Sequence, residues 1–320
     1  MPDPAWWAVF TIVAAAAQTV RNATQRGLTA SLGTVGATHV RFLFGFPFAL
    51  CFLAATMIAL DQALPRPPLV YWPWVIVGAF AQIAATALML AAMNQRSFVV
   101  VYAYIKTEPV QVALFGLLFL GDAVTPGMAI AILVATAGVV SMALKPGTSD
   151  WRATLLGLIA GAMFALSSVG FRGAILSLGL SSFVMAATFT LVTGLLMQAV
   201  LLSLYLWLRQ PAVLASVVAA WQPSLFAGFM GALASQFWFL AFALATAASV
   251  RTLALVEVLF AQGISRFIFK QATTGRERLG ILLIAAAMGA LTARDVKSSG
   301  KGRDRPHDGQ LRSSGKTGSG

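Results

Sequence analysis

Between residues 6 and 292 the chain is almost continuously apolar, broken into stretches long enough to cross a lipid bilayer. A hydrocarbon core is about 30 Å thick, and roughly 20 apolar residues in a helix cross it. No water reaches the backbone there, so a crossing stretch must be a helix or a strand of a closed barrel. Barrel strands alternate polar and apolar residues over about ten positions. The run AIAILVATAGVVSMAL at 129–144 does not alternate, so helices are expected. Only 10% of the 320 residues are charged, against about 25% in a soluble domain. The fold class expected is an all-α membrane protein.

Ten transmembrane helices are predicted, near 5–27, 36–60, 72–94, 97–120, 126–144, 153–178, 182–208, 223–246, 248–270 and 278–293. Pro65-Arg66-Pro67-Pro68, Gly121-Asp122, Lys145-Pro146-Gly147 and Arg209-Gln210-Pro211 punctuate them. The start, MPDPAWW, lacks the basic region of a secretory signal, so the first stretch is expected to stay as a helix.

The second half echoes the first. Pro73 and Pro223 open the third and eighth spans, 223 − 73 = 150 apart, and Gly78/Gly228, Leu90/Leu240 and Ala91/Ala241 keep that offset. Arg26-Gly27 returns as Arg172-Gly173 and Gly33 as Gly179, both 146 apart, and Glu108 returns as Glu257, 149 apart. The reading is two five-helix repeats, 1–147 and 148–293, and a basic disordered tail, 294–320. An odd number of crossings inserts the second copy upside down. Such inverted-topology repeats are typical of secondary transporters, whose substrate sites lie near the midplane between the halves.

The formal charge of +12 is not a nucleic-acid signal. Seven of the 22 Lys and Arg lie in the tail, and most others flank spans, where headgroups receive them. The tail argues for cytoplasmic termini, whereas the loop cations, from Arg26 to Arg278, favour the opposite side. Cys51 is the only cysteine, and His39 is accompanied only by His307 in the tail. No disulfide, metal or cofactor is expected.

An ionised side chain deep in a span costs at least about 2.5–3.5 kcal/mol, so each needs a reason. Arg41, Lys106, Glu108, Arg251 and Glu257 stand out. Helical positions are about 100° apart, so Lys106 and Glu108 face nearly opposite ways. Tyr104 and Gln111 share the Glu108 face, and Tyr102 shares that of Lys106. Pro109 removes a helix hydrogen bond and predicts a kink beside them. Lys106 and Glu108 either line a site or bridge to different neighbouring helices. Arg41 either snorkels or binds an anionic group. A carboxylate kept from water holds its proton unless a cation is near, which makes Glu108 and Glu257 candidates to carry a coupling proton.

Uncharged polar residues also fall inside spans: Gln18, Asn22, Gln82, Thr86, Ser167, Ser168, Gln236 and Gln262. With Tyr102, Tyr104 and Trp238 they describe an amphipathic lining. It suits a zwitterion with an apolar side chain, such as an amino acid, or an amphipathic metabolite or drug. Trp6, Trp7, Trp72, Trp74, Trp151, Trp207 and Trp221 sit at span ends and read as an interfacial belt. Gly157 and Gly161 form a GxxxG expected to pack within the bundle.

The stretch 87–144 resembles the EamA-type module of the drug/metabolite transporter (DMT) superfamily. The resemblance is carried by Glu108-Pro109, Leu120-Gly121-Asp122 and Gly138, and by Arg41-Phe42 in the second span. The second copy is similar over about 223–293 but has Val258 where the first has Pro109, and Lys270-Gln271 where an acidic residue would fall. The resemblance implies a ten-helix carrier, in a bacterial inner membrane, with both termini cytoplasmic, moving small metabolites, often outward.

The function expected is a secondary transporter exporting small organic solutes by alternating access. The substrate region would be built from Glu108, Lys106, Tyr102, Tyr104, Arg41, Gln82, Gln236 and Trp238. An uptake carrier or uncoupled facilitator is the alternative within transport. A membrane-embedded sensor or pore is the alternative outside it. No nucleophile elbow or phosphate-binding loop followed by Lys and Ser/Thr is present, so an enzyme is not expected. The partners expected are the solute, the bilayer and a coupling proton.

Overall fold

The computed structural model describes residues 6–95, 101, 104–143, 151–260, 278–287 and 289. The tail, Tyr102, Gln262 and the ends of the ninth and tenth predicted spans lie outside them. Among the described residues every regular element is a helix. They are α1 (Trp6–Leu43), α2 (Phe46–Leu60), α3 (Tyr71–Gln95), α4 (Glu108–Leu120), α5 (Pro126–Ala143), α6 (Trp151–Ser177), α7 (Phe183–Arg209), α8 (Pro211–Ala219), α9 (Trp221–Leu244) and α10 (Ala247–Leu253). Helix resumes over 256–260 as α11, and α12 is Arg278–Ala287.

Among the described residues five stretches are long and apolar enough to cross a membrane: Trp6–Leu60, Tyr71–Met93, Thr154–Ser177, Phe183–Arg209 and Trp221–Leu244. Glu108–Leu120, Pro126–Val140 and Arg278–Ala287 are shorter apolar helices. Proline starts many of them: Pro47, Pro73, Pro109, Pro126, Pro211 and Pro223 all fall in a first turn. The first N–H groups of a helix have no intrahelical partner, so a missing one costs nothing there.

The break expected between 5–27 and 36–60 falls at Gly33 (φ 66°, ψ 178°), where α1 is two helices meeting at a kink with no intervening loop. That positive φ is open to glycine. One boundary differs from expectation. Between the seventh and eighth predicted spans the chain forms α8 rather than a plain linker, started by Pro211.

Helix pairs are set by small residues. Helix α6 runs antiparallel to α3, with Gly170 against Gly78 and Gly173 against the Trp74 indole. Helix α9 packs along α1, and its Gly228 lies against the Phe44 backbone. These are the two most extensive helix contacts. The Gly157/Gly161 pair packs α6 onto Tyr104 and Ile105, within the bundle.

Polarity is inside out. Phe80, Leu118, Ile130, Leu133, Val200 and Trp207 project outward, while Arg21, Asn22, Gln25, Arg41, Lys106, Glu108 and Glu257 are buried. A soluble protein rarely exposes so much contiguous apolar surface, whereas lipid requires it. Of the expected tryptophan belt, Trp6, Trp72, Trp151, Trp207 and Trp221 are exposed. Trp7 and Trp74 turn inward instead. Trp7 joins the main apolar core, and glycine leaves room for the Trp74 ring at Gly173.

Candidate functional site

Two helices break inside the bundle, each just before a glutamate. Tyr104 and Ile105 are helical, Lys106 and Thr107 form a turn, and α4 restarts at Glu108. Pro109 therefore sits in a first turn and marks a restart instead of the predicted kink. In the second half α10 ends at Leu253, Ala254 and Leu255 form a turn, and α11 restarts just before Glu257. Both breaks use three-residue bonds: Thr107 N–H to the Tyr104 carbonyl (3.3 Å) and Leu255 N–H to the Thr252 carbonyl (3.2 Å). Each carboxylate thus lies in the first turn of a new helix, where the macrodipole favours negative charge.

The two breaks are joined by crossed ion pairs. Lys106 Nζ donates to Glu257 Oε2 at 2.8 Å, and Arg251 Nε lies 3.0 Å from Glu108 Oε1. All four side chains are buried. Lys106 and Glu108 do not pair with each other; each reaches a different partner in the second half. Around the pairs runs a chain of neutral donors. Gln18 Nε2 donates to Glu257 Oε1 (2.9 Å), and Trp238 Nε1 donates to Gln18 Oε1 (3.0 Å). Arg251 Nε also donates to Ser168 Oγ (2.9 Å), and its guanidinium lies 4.5 Å from the centre of the Trp238 ring. Buried ion pairs hold best when their remaining donors and acceptors are also met, and Gln18 and Ser168 meet part of that need.

Arg41 is 2% exposed, so it does not snorkel. Its hydrogen bonds go to two hydroxyls, Thr86 Oγ1 at 3.3 Å and Ser235 Oγ at 3.4 Å. Its Nε has no partner. Arg21 is a site residue that the sequence reading overlooked. It is buried and holds Asn22 Oδ1 with Nε (3.2 Å) and Nη2 (2.6 Å). A charge this far inside the first span was visible in the sequence beside Gln18. Gly231 makes room for both cations: a Cβ there would lie 3.2 Å from Arg41 Cγ and 3.4 Å from Arg21 Cδ.

The other expected site residues are placed as follows. Gln82 accepts from Gln198 Nε2 (2.9 Å), and Gln236 donates to Thr188 (2.8 Å). Gln82, Trp238, Arg41 and Arg251 line one small void together. Tyr104 is not brought there, because its Cβ packs on Gly157. Tyr102 lies outside the described residues. A second void touches Arg21, Lys106, Glu108 and Arg251. Each void measures about 10 Å³, the space of about one water. The larger cavity, about 510 Å³, is an open apolar groove beside Leu196, Val200 and Trp207. Among the described residues no charged one lines it.

Away from the cluster, Arg172 closes one end of the bundle. Its Nε and Nη2 reach Asp122 Oδ2 (3.2 Å) and Oδ1 (3.3 Å), and Nη1 donates to the carbonyls of Phe242 (2.5 Å) and Ala245 (2.6 Å). One planar fork thus ties the end of α4 to the end of α9. Lysine has no such fork. Arg172→Lys is expected to lower the thermal midpoint in detergent nearly as much as Arg172→Gln. Equal midpoints for Arg172→Lys and the parent would show that charge alone suffices.

No family model and no curated protein matches the chain. A solved structure described only as the crystal structure of a protein is similar, at 15% identity and a TM-score of 0.67. The match covers 91% of this chain and 98% of that one. Identity this low shows a shared fold alone. Fold, span lengths and inside-out polarity define a helical membrane protein.

Proposed function

We propose that the chain is a secondary transporter of small organic solutes, built as ten spans in two inverted five-helix repeats, 1–147 and 148–293. The two halves would rock about the buried charges and open them to either side in turn. Membership of the EamA-type group of the DMT superfamily is part of this proposal. So are outward transport and a bacterial inner membrane with cytoplasmic termini.

The crossed ion pairs between two broken helices are the observation that carries the reading. Discontinuous helices meeting near the midplane are what carriers of this plan use. An ion pair between halves is a latch that a solute or proton can replace. Three pairs of features separated by the repeat offset support the inverted plan. Gly33 and Gly179 both have positive φ, 66° and 60°. Gly78 and Gly228 both mark a close helix crossing. Glu108 and Glu257 both follow a helix break. The cations do not keep the offset: Glu257 to Glu108 is 149, which sets Arg251 on Tyr102 (251 − 149 = 102) and Lys106 on Leu255 (106 + 149 = 255). Any proton coupling is therefore asymmetric between the two glutamates. The water-sized voids fit a closed state of such a carrier, whose halves must part to admit a solute.

Counterflow in proteoliposomes tests this, with and without a pH gradient. A carrier shows saturable uptake and exchange. Flux that never saturates would make the protein a pore. Parent-like pH dependence in both Glu108→Gln and Glu257→Gln would remove the proton from the mechanism.

A further inference from the structure

We infer that the ligand of this central cluster is an organic anion, seated by its acidic group on Arg41 and by its apolar body against the surrounding aromatic rings. The inference rests on the transporter reading for the existence of a solute and goes beyond it in naming the solute's charge.

The chain has ten acidic residues. Eight of them (Asp3, Asp61, Asp122, Asp150, Glu277, Asp295, Asp304 and Asp308) fall in loops or near the termini, which leaves Glu108 and Glu257 inside the spans. Both are engaged by Arg251 and Lys106. Arg21, Arg41, Lys106 and Arg251 lie buried around these two carboxylates, and both carboxylates are taken by cations other than Arg41. Among the described residues Arg41 meets no carboxylate: its hydrogen bonds go to two hydroxyls, at the long end of hydrogen-bond distance, and its guanidinium lies 5.2 Å from the centre of the Phe42 ring. An uncompensated buried charge is among the most expensive things a fold can hold.

The void beside Arg41 is lined on one side by unmet donors. Arg41 Nε and Ser167 Oγ both lack partners, and both line it. Phe164, Phe171 and Phe239 supply an apolar wall. A guanidinium edge beside a hydroxyl recognises a carboxylate or phosphate oxygen. A ligand ammonium would find neither glutamate unoccupied. The site therefore selects against amphipathic cations and, more weakly, against zwitterions.

The test uses the full chain purified in detergent and three ligands of one shape: phenylacetate, phenylacetamide and 2-phenylethylammonium. Phenyl phosphate and succinate extend the anion set and separate carboxylate from phosphate. Thermal shift and equilibrium binding are read for the parent, Arg41→Lys and Arg41→Met. Anions are expected to raise the midpoint, and the amide and ammonium are not. Arg41→Met should weaken anion binding about ten- to a hundredfold, with Arg41→Lys between. Without ligand, Arg41→Met should melt higher than the parent, because it removes an unpaired buried charge. A cation or amide that binds as tightly as its isosteric anion would overturn the inference. So would anion binding undiminished in Arg41→Met, or the absence of any anion effect together with a lower midpoint in that variant. Binding needs no transport. Anion binding without counterflow would sink the carrier and leave the anion site. Saturable counterflow confined to cations would do the reverse.

Discussion

Glu108→Gln is expected to cost about 3–5 kcal/mol of stability, the usual penalty for stranding one member of a buried ion pair. Arg251 would keep Ser168 and the Trp238 ring. Neither neutralises a guanidinium. The double variant Glu108→Gln/Arg251→Gln should recover most of the loss, since no charge is then stranded. Thermal midpoints of the four proteins form a cycle, and strong non-additivity is the expected result. Additive losses would mean that the 3.0 Å pair contributes no coupling. The same logic applies to Lys106 and Glu257. Gln18 also donates to Glu257, so Lys106→Met, too, leaves a charge that is still hydrogen-bonded but no longer neutralised.

Gly170→Val and Gly228→Val should each prevent assembly of the bundle. A Cβ at Gly170 would stand 2.8 Å from the Gly78 nitrogen and 2.9 Å from its Cα. At Gly228 it would stand 2.5 Å from the Phe44 carbonyl carbon. Both obstacles include backbone, which cannot rotate aside, so whole helices must separate. Overpacking usually costs about 1–3 kcal/mol, and here it strikes the two largest interfaces. Loss of the monodisperse peak on size exclusion after extraction would report it. Gly27→Ala is the control. Nothing lies within 4 Å of a Cβ there, and alanine favours a helix by up to about 1 kcal/mol. A normal elution profile for Gly170→Val would disprove the close crossing.

Much of this was legible in the sequence. Long apolar runs with buried charges can only be helices in lipid, because no other open structure satisfies the backbone. That Lys106 and Glu108 take different partners was one of the two readings their spacing offered. The GxxxG at Gly157 and Gly161 announced close packing, whereas Gly78 and Gly228 were visible only as partners in the repeat. Other features were not legible. A proline in an apolar run reads equally as a kink or a restart, and the turn at Lys106–Thr107 decides between them. Nothing local distinguishes Trp7 and Trp74, which turn inward, from Trp6 and Trp72, which do not.

The pattern of apolar and polar residues alone determined that the chain is a helical membrane protein with charges it must hide, since period and hydropathy are local properties. Which charge meets which is a matter of approach between helices far apart in the chain, Lys106 with Glu257 and Arg251 with Glu108. Tertiary structure alone decided that, and with it which cation stayed without a carboxylate. Arg41 looks no different from Arg251 along the chain. They part only because α4 carries one glutamate toward Arg251, while α3 and α9 offer Arg41 hydroxyls and glycine.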